Sequence, residues 1–122
     1  MKFWTIVIVG FIFSVRAFGA QTDTLAVPSA SMKKKIPTVI VLPEGYAASK
    51  QSFPVIYLLH GAGGNYRNWI TRVPHIQQLA DNNQVIIVCP DGAVTSWYFD
   101  SPIDSSVRYE TFVAKELPAY ID

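Results

Sequence analysis

The sequence predicts an α/β protein in which a mostly parallel sheet with an antiparallel N-terminal edge is flanked by helices. Three observations favour this fold class. A wholly apolar run at residues 55–59 ends in a glycine-rich turn, as a buried strand of a parallel sheet does. A second apolar run follows at residues 85–89, and the segment between the two runs has helical spacing. The order strand, helix, strand is that of a βαβ unit, whose two strands run parallel.

Residues 1–19 have the features of a signal peptide. A positive start is followed by an apolar core at residues 3–15 and by small residues up to Gly19. The apolar core is too short to span a bilayer comfortably, although a retained membrane anchor is the alternative. We therefore expect cleavage after Gly19 or Ala20, export to the periplasm or the medium, and no stable membrane anchor after cleavage. The mature domain would comprise residues 20–122.

Two strands are predicted before the first apolar run. Residues 23–28 are expected to form an edge strand, and residues 36–42 a stronger strand that is rich in β-branched side chains. Pro37 predicts that the second strand starts at an edge or outside the ladder, because proline cannot donate a ladder hydrogen bond. The short polar link at residues 43–53 favours an antiparallel neighbour for the strand that opens at Pro54.

Helical spacing connects the two apolar runs. A helical turn is predicted at residues 66–70, and Pro74 fits the first turn of the helix that follows. Asp81-Asn82-Asn83 is expected to end that helix. Its apolar positions are Val73, Ile76, Leu79 and Ala80.

The last segment is predicted to be a helix behind a long loop. Residues 90–92 (Pro-Asp-Gly) are expected to form a turn, and residues 93–106 a loop in which Ser105 or Ser106 caps the helix that follows. Pro118 is expected to weaken or kink the end of this helix. Its predicted apolar face comprises Tyr109, Phe112, Val113, Leu117, Tyr120 and Ile121.

The predicted elements make a thin core for one small domain of about 100 residues. A helix in an α/β protein normally leads to another strand, and the sequence ends at Asp122 after the last predicted helix. The expectation from this pattern is a fragment or a prematurely terminated reading frame.

Composition excludes several classes of ligand. The net charge is +1, from ten basic and nine acidic residues, which gives no argument for a nucleic-acid partner. The only charge cluster, at residues 33–35, contains three lysines and is expected in a solvated turn. The single Cys89 lies in an apolar run and is expected to be a buried core thiol. Two histidines without an adjacent carboxylate pattern predict no metal site, and no cofactor is expected.

The turn at residues 60–64, with the sequence HGAGG, can hold an oxygen atom of a ligand. A phosphate loop would need Lys-Ser or Lys-Thr after the glycines, and the dinucleotide pattern G-x-G-x-x-G fails at Tyr66. Acyl transfer instead places negative charge on a carbonyl oxygen, and prearranged backbone N–H groups stabilise that charge. The turn is therefore expected to bind the oxygen of an ester.

Four segments of the sequence, in this order and spacing, match one family. They are FPVIYLLHGAGGN at residues 53–65 with Trp69 after it, VCPDG at 88–92, SWYFDSP at 96–102 and YETF at 109–112. With these segments the chain resembles the N-terminal part of the esterase D / S-formylglutathione hydrolase-like branch of the α/β-hydrolases. That branch includes tributyrin-esterase-like and feruloyl-esterase-like secreted enzymes. The resemblance covers essentially the whole mature chain and implies the N-terminal half of an α/β-hydrolase fold.

The resemblance implies serine-dependent hydrolysis of carboxylic esters or thioesters. It implies that Ala62 is an oxyanion donor through its backbone N–H, as H-G-G-G-type sequences are in this fold, with Gly61 and Gly63 beside it. It places Trp97 and Asp100 in a loop near the rim of the substrate site. The implied substrate is a small ester or an acylated carbohydrate.

The catalytic triad is not found in this sequence. The nucleophile of the family lies in G-x-S-x-G, a motif that the 122 residues lack, and its acid and histidine lie further downstream. His60 is expected to be structural, and His75 to lie at or near the surface. We therefore expect the chain alone to be inactive.

Other readings of the sequence stay open. The alternative function is a non-catalytic, degenerate hydrolase remnant, or a module that binds a carbohydrate or a partner through the loop at residues 93–106. Trp97 and Tyr98 are either aromatic platforms for substrate or anchors of that loop. Asp100 is either a capping carboxylate or a functional one.

Overall fold

The computed structural model describes residues 19–122. The signal peptide predicted at residues 1–19 lies outside the described residues, apart from Gly19. Within the described range, no helix has both the length and the apolar character that a bilayer span requires.

Four strands form one mixed sheet in the order β1-β2-β4-β3. The strands β1 and β2 pair antiparallel, β2 and β4 pair antiparallel, and β3 and β4 pair parallel. Helices flank this open sheet, so the predicted α/β class and the antiparallel N-terminal edge are confirmed. The strand bounds are β1 Gln21–Ser29, β2 Lys34–Leu42, β3 Val55–Tyr57 and β4 Ile86–Pro90.

The proline and the lysines at the start of β2 differ from expectation in part. Pro37 lies just outside the β4 ladder, which begins at Thr38, but inside the β1 ladder, opposite Ala26. Of the lysine cluster, Lys33 lies in the turn with φ 54°, whereas the next two lysines begin β2.

The prediction of a strand at residues 55–59 that is buried on both faces is wrong. Only Val55–Tyr57 form a strand, and the side chain of Ile56 is 44% exposed. The strand lies at the edge of the sheet, because β4 inserts between β2 and β3. The predicted antiparallel neighbour of β3 is therefore wrong too. The link at residues 43–54 has twelve residues, which is long enough to cross two strand spacings of about 4.8 Å each.

Two helices cover one face of the sheet. They are α1 (Asn68–Arg72) and α2 (Ile76–Asn83), which ends as predicted, with Gln84 in a left-handed conformation at φ 50°. The apolar side chains of α2 pack on alternate residues of β4, Ile87 and Cys89. This arrangement confirms the βαβ unit predicted from the spacing of the apolar runs.

The C-terminal helix covers the opposite face. It consists of α3 (Tyr109–Thr111), a π-helical turn (Phe112–Glu116) and α4 (Leu117–Ile121). The wide π turn precedes Pro118, and the helix continues through the proline instead of ending there. Phe112 and Leu117 are fully buried against β1, β2 and β4, whereas Tyr120 is 49% exposed because α4 packs mainly on the edge strand β1.

The predicted serine cap of the C-terminal helix is wrong. Arg108 occupies the N-cap position without a side-chain hydrogen bond, and Ser106 instead bonds to Asp104. Asp100, eleven residues before Thr111 in the sequence, binds the start of the helix. Its Oδ1 accepts from the Thr111 N–H at 3.0 Å, and its Oδ2 accepts from the Thr111 hydroxyl. A carboxylate is stabilised at this position because its negative charge faces the positive end of the helix.

Candidate functional site

The glycine-rich segment forms a tight turn directly after β3. The Gly64 N–H donates to the Gly61 carbonyl at 3.0 Å, and Gly63, in the third position, has φ 74°. A positive φ at that position defines a type II turn and favours glycine there. Ala62 occupies the second position and is exposed. Within residues 19–122, the Ala62 N–H forms no backbone hydrogen bond.

His60 is the buried base of this turn, with 6% exposure. Its Nε2 accepts a hydrogen bond from the Gly92 N–H at 2.9 Å, so the ring proton lies on Nδ1, which donates to the Gly61 carbonyl at 2.8 Å. An oxygen of Asp91 lies 3.2 Å from Nε2. The ring thus connects the turn to the segment that follows β4, which agrees with the structural role predicted for this histidine.

The side chain of Tyr98, from the loop that follows β4, also contacts His60. Its hydroxyl accepts from the His60 N–H at 3.0 Å and donates to the His60 carbonyl at 3.3 Å. Burial raises the pKa of the phenol to about 12, so the hydroxyl stays protonated. The ring lies directly on Gly92, where a Cβ atom would come within 2.3 Å of two ring carbons. Only glycine leaves room for the ring there.

The loop after β4 forms the opposite wall. Ser96 is buried, donates to the Gly92 carbonyl and accepts from the Tyr98 N–H at 3.1 Å. A further bond, from the Gly63 N–H to the Val94 carbonyl at 2.9 Å, joins the two walls. Trp97, with φ 54°, is 78% exposed at the rim.

The two walls enclose a cavity of about 160 Å³. A cavity of roughly this size holds a single benzene ring. None of the residues that line it carries an ordinarily charged side chain. The lining residues are His60, Gly61, Ala62 and the segment from Gly92 to Tyr98.

The predicted site residues occupy two places. Gly61, Ala62 and Trp97 line the cavity, and Gly63 lies in the same turn. Asp100 is not among the lining residues. The hydrogen bond from the Thr111 hydroxyl, and after it the bond from the Thr111 N–H, lower the pKa of the carboxyl group. Its participation in substrate binding therefore stays a prediction.

Sequence reasoning missed the residues that join the two walls. The sequence predicts only a turn and a loop for Asp91, Gly92 and Ser96, although each contacts a neighbour at the cavity. The Pro-Asp-Gly sequence after β4 was the available signal, because a glycine at the end of a central strand often marks a close approach.

The described residues hold no cluster of three or more histidine, cysteine or acidic side chains that could bind a metal ion. Cys89 is a buried free thiol in β4, as predicted, and burial raises its pKa to about 11.

Comparison with known proteins gives a consistent family. The Esterase family model, described as "Putative esterase", matches residues 29–122. The chain is 34% identical over 86 residues to Esterase MT1326 of Mycobacterium tuberculosis, covering 68% of this chain and 19% of that protein. It is 31% identical over 107 residues to the MPT51/MPB51 antigen of Mycobacterium bovis, covering 86% of this chain and 33% of that protein. The chain thus spans a third or less of these relatives.

Solved structures share the fold. A ferulic acid esterase superposes with a TM-score of 0.67 at 29% identity, covering 85% of this chain and 43% of that one. An S-formylglutathione hydrolase from Agrobacterium tumefaciens superposes with a TM-score of 0.70 at 21% identity, covering 87% and 44%. The second match shows the fold alone.

Proposed function

The chain belongs to the esterase family whose model matches it, and we propose that it forms the oxyanion side of a serine carboxylic-ester hydrolase. In that reaction a serine attacks the ester carbonyl, an acyl-enzyme forms, and water hydrolyses it. Negative charge develops on the carbonyl oxygen at the attack, and a prearranged N–H group stabilises it. The observation that carries this proposal is that Ala62 lines the cavity while its N–H forms no backbone hydrogen bond in the described part of the chain.

The geometry of the turn supports this role. A type II turn leaves the N–H of its second residue outside the turn's own hydrogen bond, which runs from Gly64 to Gly61. Side chains are absent at Gly61 and Gly63, on either side of Ala62, so a substrate oxygen meets little steric hindrance. The bonds from His60 to the Gly61 carbonyl and from Gly63 to Val94 hold the turn before substrate arrives.

The cavity favours an uncharged group of about one ring. We propose that it takes part of a small ester or of an acylated carbohydrate. The exposed ring of Trp97 at the rim would pack on the flat face of a sugar or an aromatic group. Asp100 would act at the same rim only if substrate extends beyond the cavity, because its carboxylate already binds Thr111.

None of the 122 residues is given the role of the nucleophile. No G-x-S-x-G motif occurs among them, so we propose that the chain alone does not hydrolyse esters. We also propose export through the leader at residues 1–19, on the sequence pattern alone.

Ala62→Pro tests the oxyanion role with little change to the turn. Proline is favoured at the second position of a type II turn but has no N–H to donate. The variant would be made in a chimera in which residues 29–122 replace the matching segment of the ferulic acid esterase. We expect kcat for a p-nitrophenyl ester to fall about 10²–10³-fold, the usual effect of losing one oxyanion donor. Ala62→Ser, which keeps the N–H, is the matched control.

Two results would contradict the proposal. One is a chimera in which Ala62→Pro and Ala62→Ser retain the same kcat. The other is a burst of p-nitrophenol from the isolated 122-residue chain, since a burst reports an acyl-enzyme and hence a nucleophile.

A binding module is the second candidate, because the loop exposes large apolar side chains. Trp97 is 78% exposed, Phe99 46% and Ile103 95%. A non-catalytic remnant of the fold would retain this surface. Sedimentation of the chain with insoluble acetylated xylan, and its loss in Trp97→Ala, would favour this candidate over the esterase.

A further inference from the structure

One side chain joins the turn at residues 60–64 to the loop that follows β4. The Tyr98 hydroxyl forms hydrogen bonds with both backbone groups of His60, at 3.0 Å to the nitrogen and 3.3 Å to the oxygen. The two residues are 38 positions apart in the chain. His60 directly precedes the turn, so its backbone sets the direction in which the turn leaves β3.

Tyr98 is itself held in an unusual backbone conformation. Trp97 and Tyr98 have φ values of 54° and 52°, which are uncommon for residues other than glycine. Such conformations persist only where the surroundings impose them. Here Ser96 accepts from the Tyr98 N–H, and the ring packs between Gly92 and the edge of the His60 ring, with 5.7 Å between the ring centroids.

We infer that Tyr98 is a positioning residue that orients the Ala62 N–H through the backbone of His60. This inference rests on the function proposed above. The other connections between the walls hold the His60 ring and the far side of the turn, at Gly63. Only the Tyr98 hydroxyl, among the contacts of the described residues, binds the His60 backbone from the opposite wall.

The test uses Tyr98→Phe in the full 122-residue chain labelled with ¹⁵N. The change removes one oxygen atom and keeps the ring. We expect the His60 amide to exchange with solvent about tenfold faster, because it loses its acceptor. We expect the ¹⁵N order parameters of residues 61–63 to fall, and those of the amides in β1 and β2 to stay unchanged. Tyr120→Phe, on an exposed tyrosine, is the matched control and should change neither.

Unchanged order parameters at residues 61–63 in Tyr98→Phe would overturn the inference. A uniform change along the whole chain would overturn it as well, because it would show that the hydroxyl only stabilises the fold. If Tyr98→Phe does not fold, Ser96→Ala loosens Tyr98 from its backbone side and keeps the hydroxyl. The same three residues should then lose order, and their retention of order would refute the positioning role.

These measurements do not involve ester hydrolysis. If Ala62→Pro and Ala62→Ser had the same kcat, the proposed function would be refuted, but the relaxation result would be unaffected. Failure of the relaxation test would remove the role of Tyr98 and leave the oxyanion proposal intact.

Discussion

Replacing Gly92 by alanine tests how closely the two walls of the cavity pack. The glycine does not have a positive φ, so its backbone accepts an alanine. The obstacle is the Tyr98 ring, because the new Cβ atom would lie 2.3 Å from Cε1 and Cζ and 2.7 Å from the hydroxyl oxygen. Gly92 is held in place because its N–H donates to the His60 side chain at Nε2. The ring must therefore move away, and its hydroxyl must leave the His60 backbone.

The cost follows from these contacts. Overpacking of a dense site destabilises by about 1–3 kcal/mol. Each of the two hydrogen bonds of the Tyr98 hydroxyl contributes about 0.5–1.5 kcal/mol. We expect Gly92→Ala to lower the free energy of unfolding by about 2–6 kcal/mol, a large fraction of the stability of a domain of this size.

Equilibrium unfolding in urea, followed by circular dichroism, measures this loss. Gly61→Ala is the matched control, because no atom lies within 4 Å of the Cβ position there, and its effect should stay within about 1 kcal/mol. In a Tyr98→Ala background the ring is gone, so Gly92→Ala should cost little. The reasoning fails if the substitution is as costly in that background as in the wild-type chain, or if it is neutral in both.

Three further predictions concern titratable groups. Burial alone would raise the pKa of Glu116, but hydrogen bonds from the Ser29 hydroxyl and the Ser31 N–H outweigh burial and lower the pKa below 4.5. The stabilisation that these bonds provide is present at neutral pH and is lost as the pH falls through the folded-state pKa. Thermal midpoints should therefore drop below about pH 4.5, and Glu116→Gln should flatten that dependence. Asp100→Ala should speed hydrogen exchange at the start of the C-terminal helix, because the Thr111 N–H loses its acceptor, without changing exchange in α2. Equal exchange in both proteins would exclude a capping role. Cys89, with a pKa raised to about 11, should not react with Ellman's reagent at pH 8 until urea unfolds the chain; immediate reaction would contradict its burial.

Local patterns predicted the elements well where one segment determines its own structure. The helical period up to residue 80 became α2, although this helix begins at Ile76, so Val73 and Pro74, which were predicted to belong to it, precede it. The apolar run at residues 85–89 became β4 within one residue. The glycine-rich turn was also predictable, because Gly63 adopts the positive φ that a type II turn requires.

The sequence was less informative about strand neighbours. An apolar run looks the same in a central and in an edge strand, so the run at residues 55–59 predicts an interior strand. In the structure β4 is the interior strand and β3 lies at the edge. Similarly, Ser105 and Ser106 resemble a local cap, but the carboxylate of Asp100 reaches the helix from eleven residues before Thr111.

The sequence by itself determined the α/β class, the βαβ unit, the glycine-rich turn and the resemblance to esterases, because periodicity, glycine positions and motif order are properties of short segments. Only the tertiary structure decided which residues build the cavity. Tyr98 meets His60 across 38 residues, and Gly92 meets it across 32. Those contacts exist because β3 and β4 lie side by side and parallel, so that the loops at their carboxyl ends face each other across one edge of the sheet.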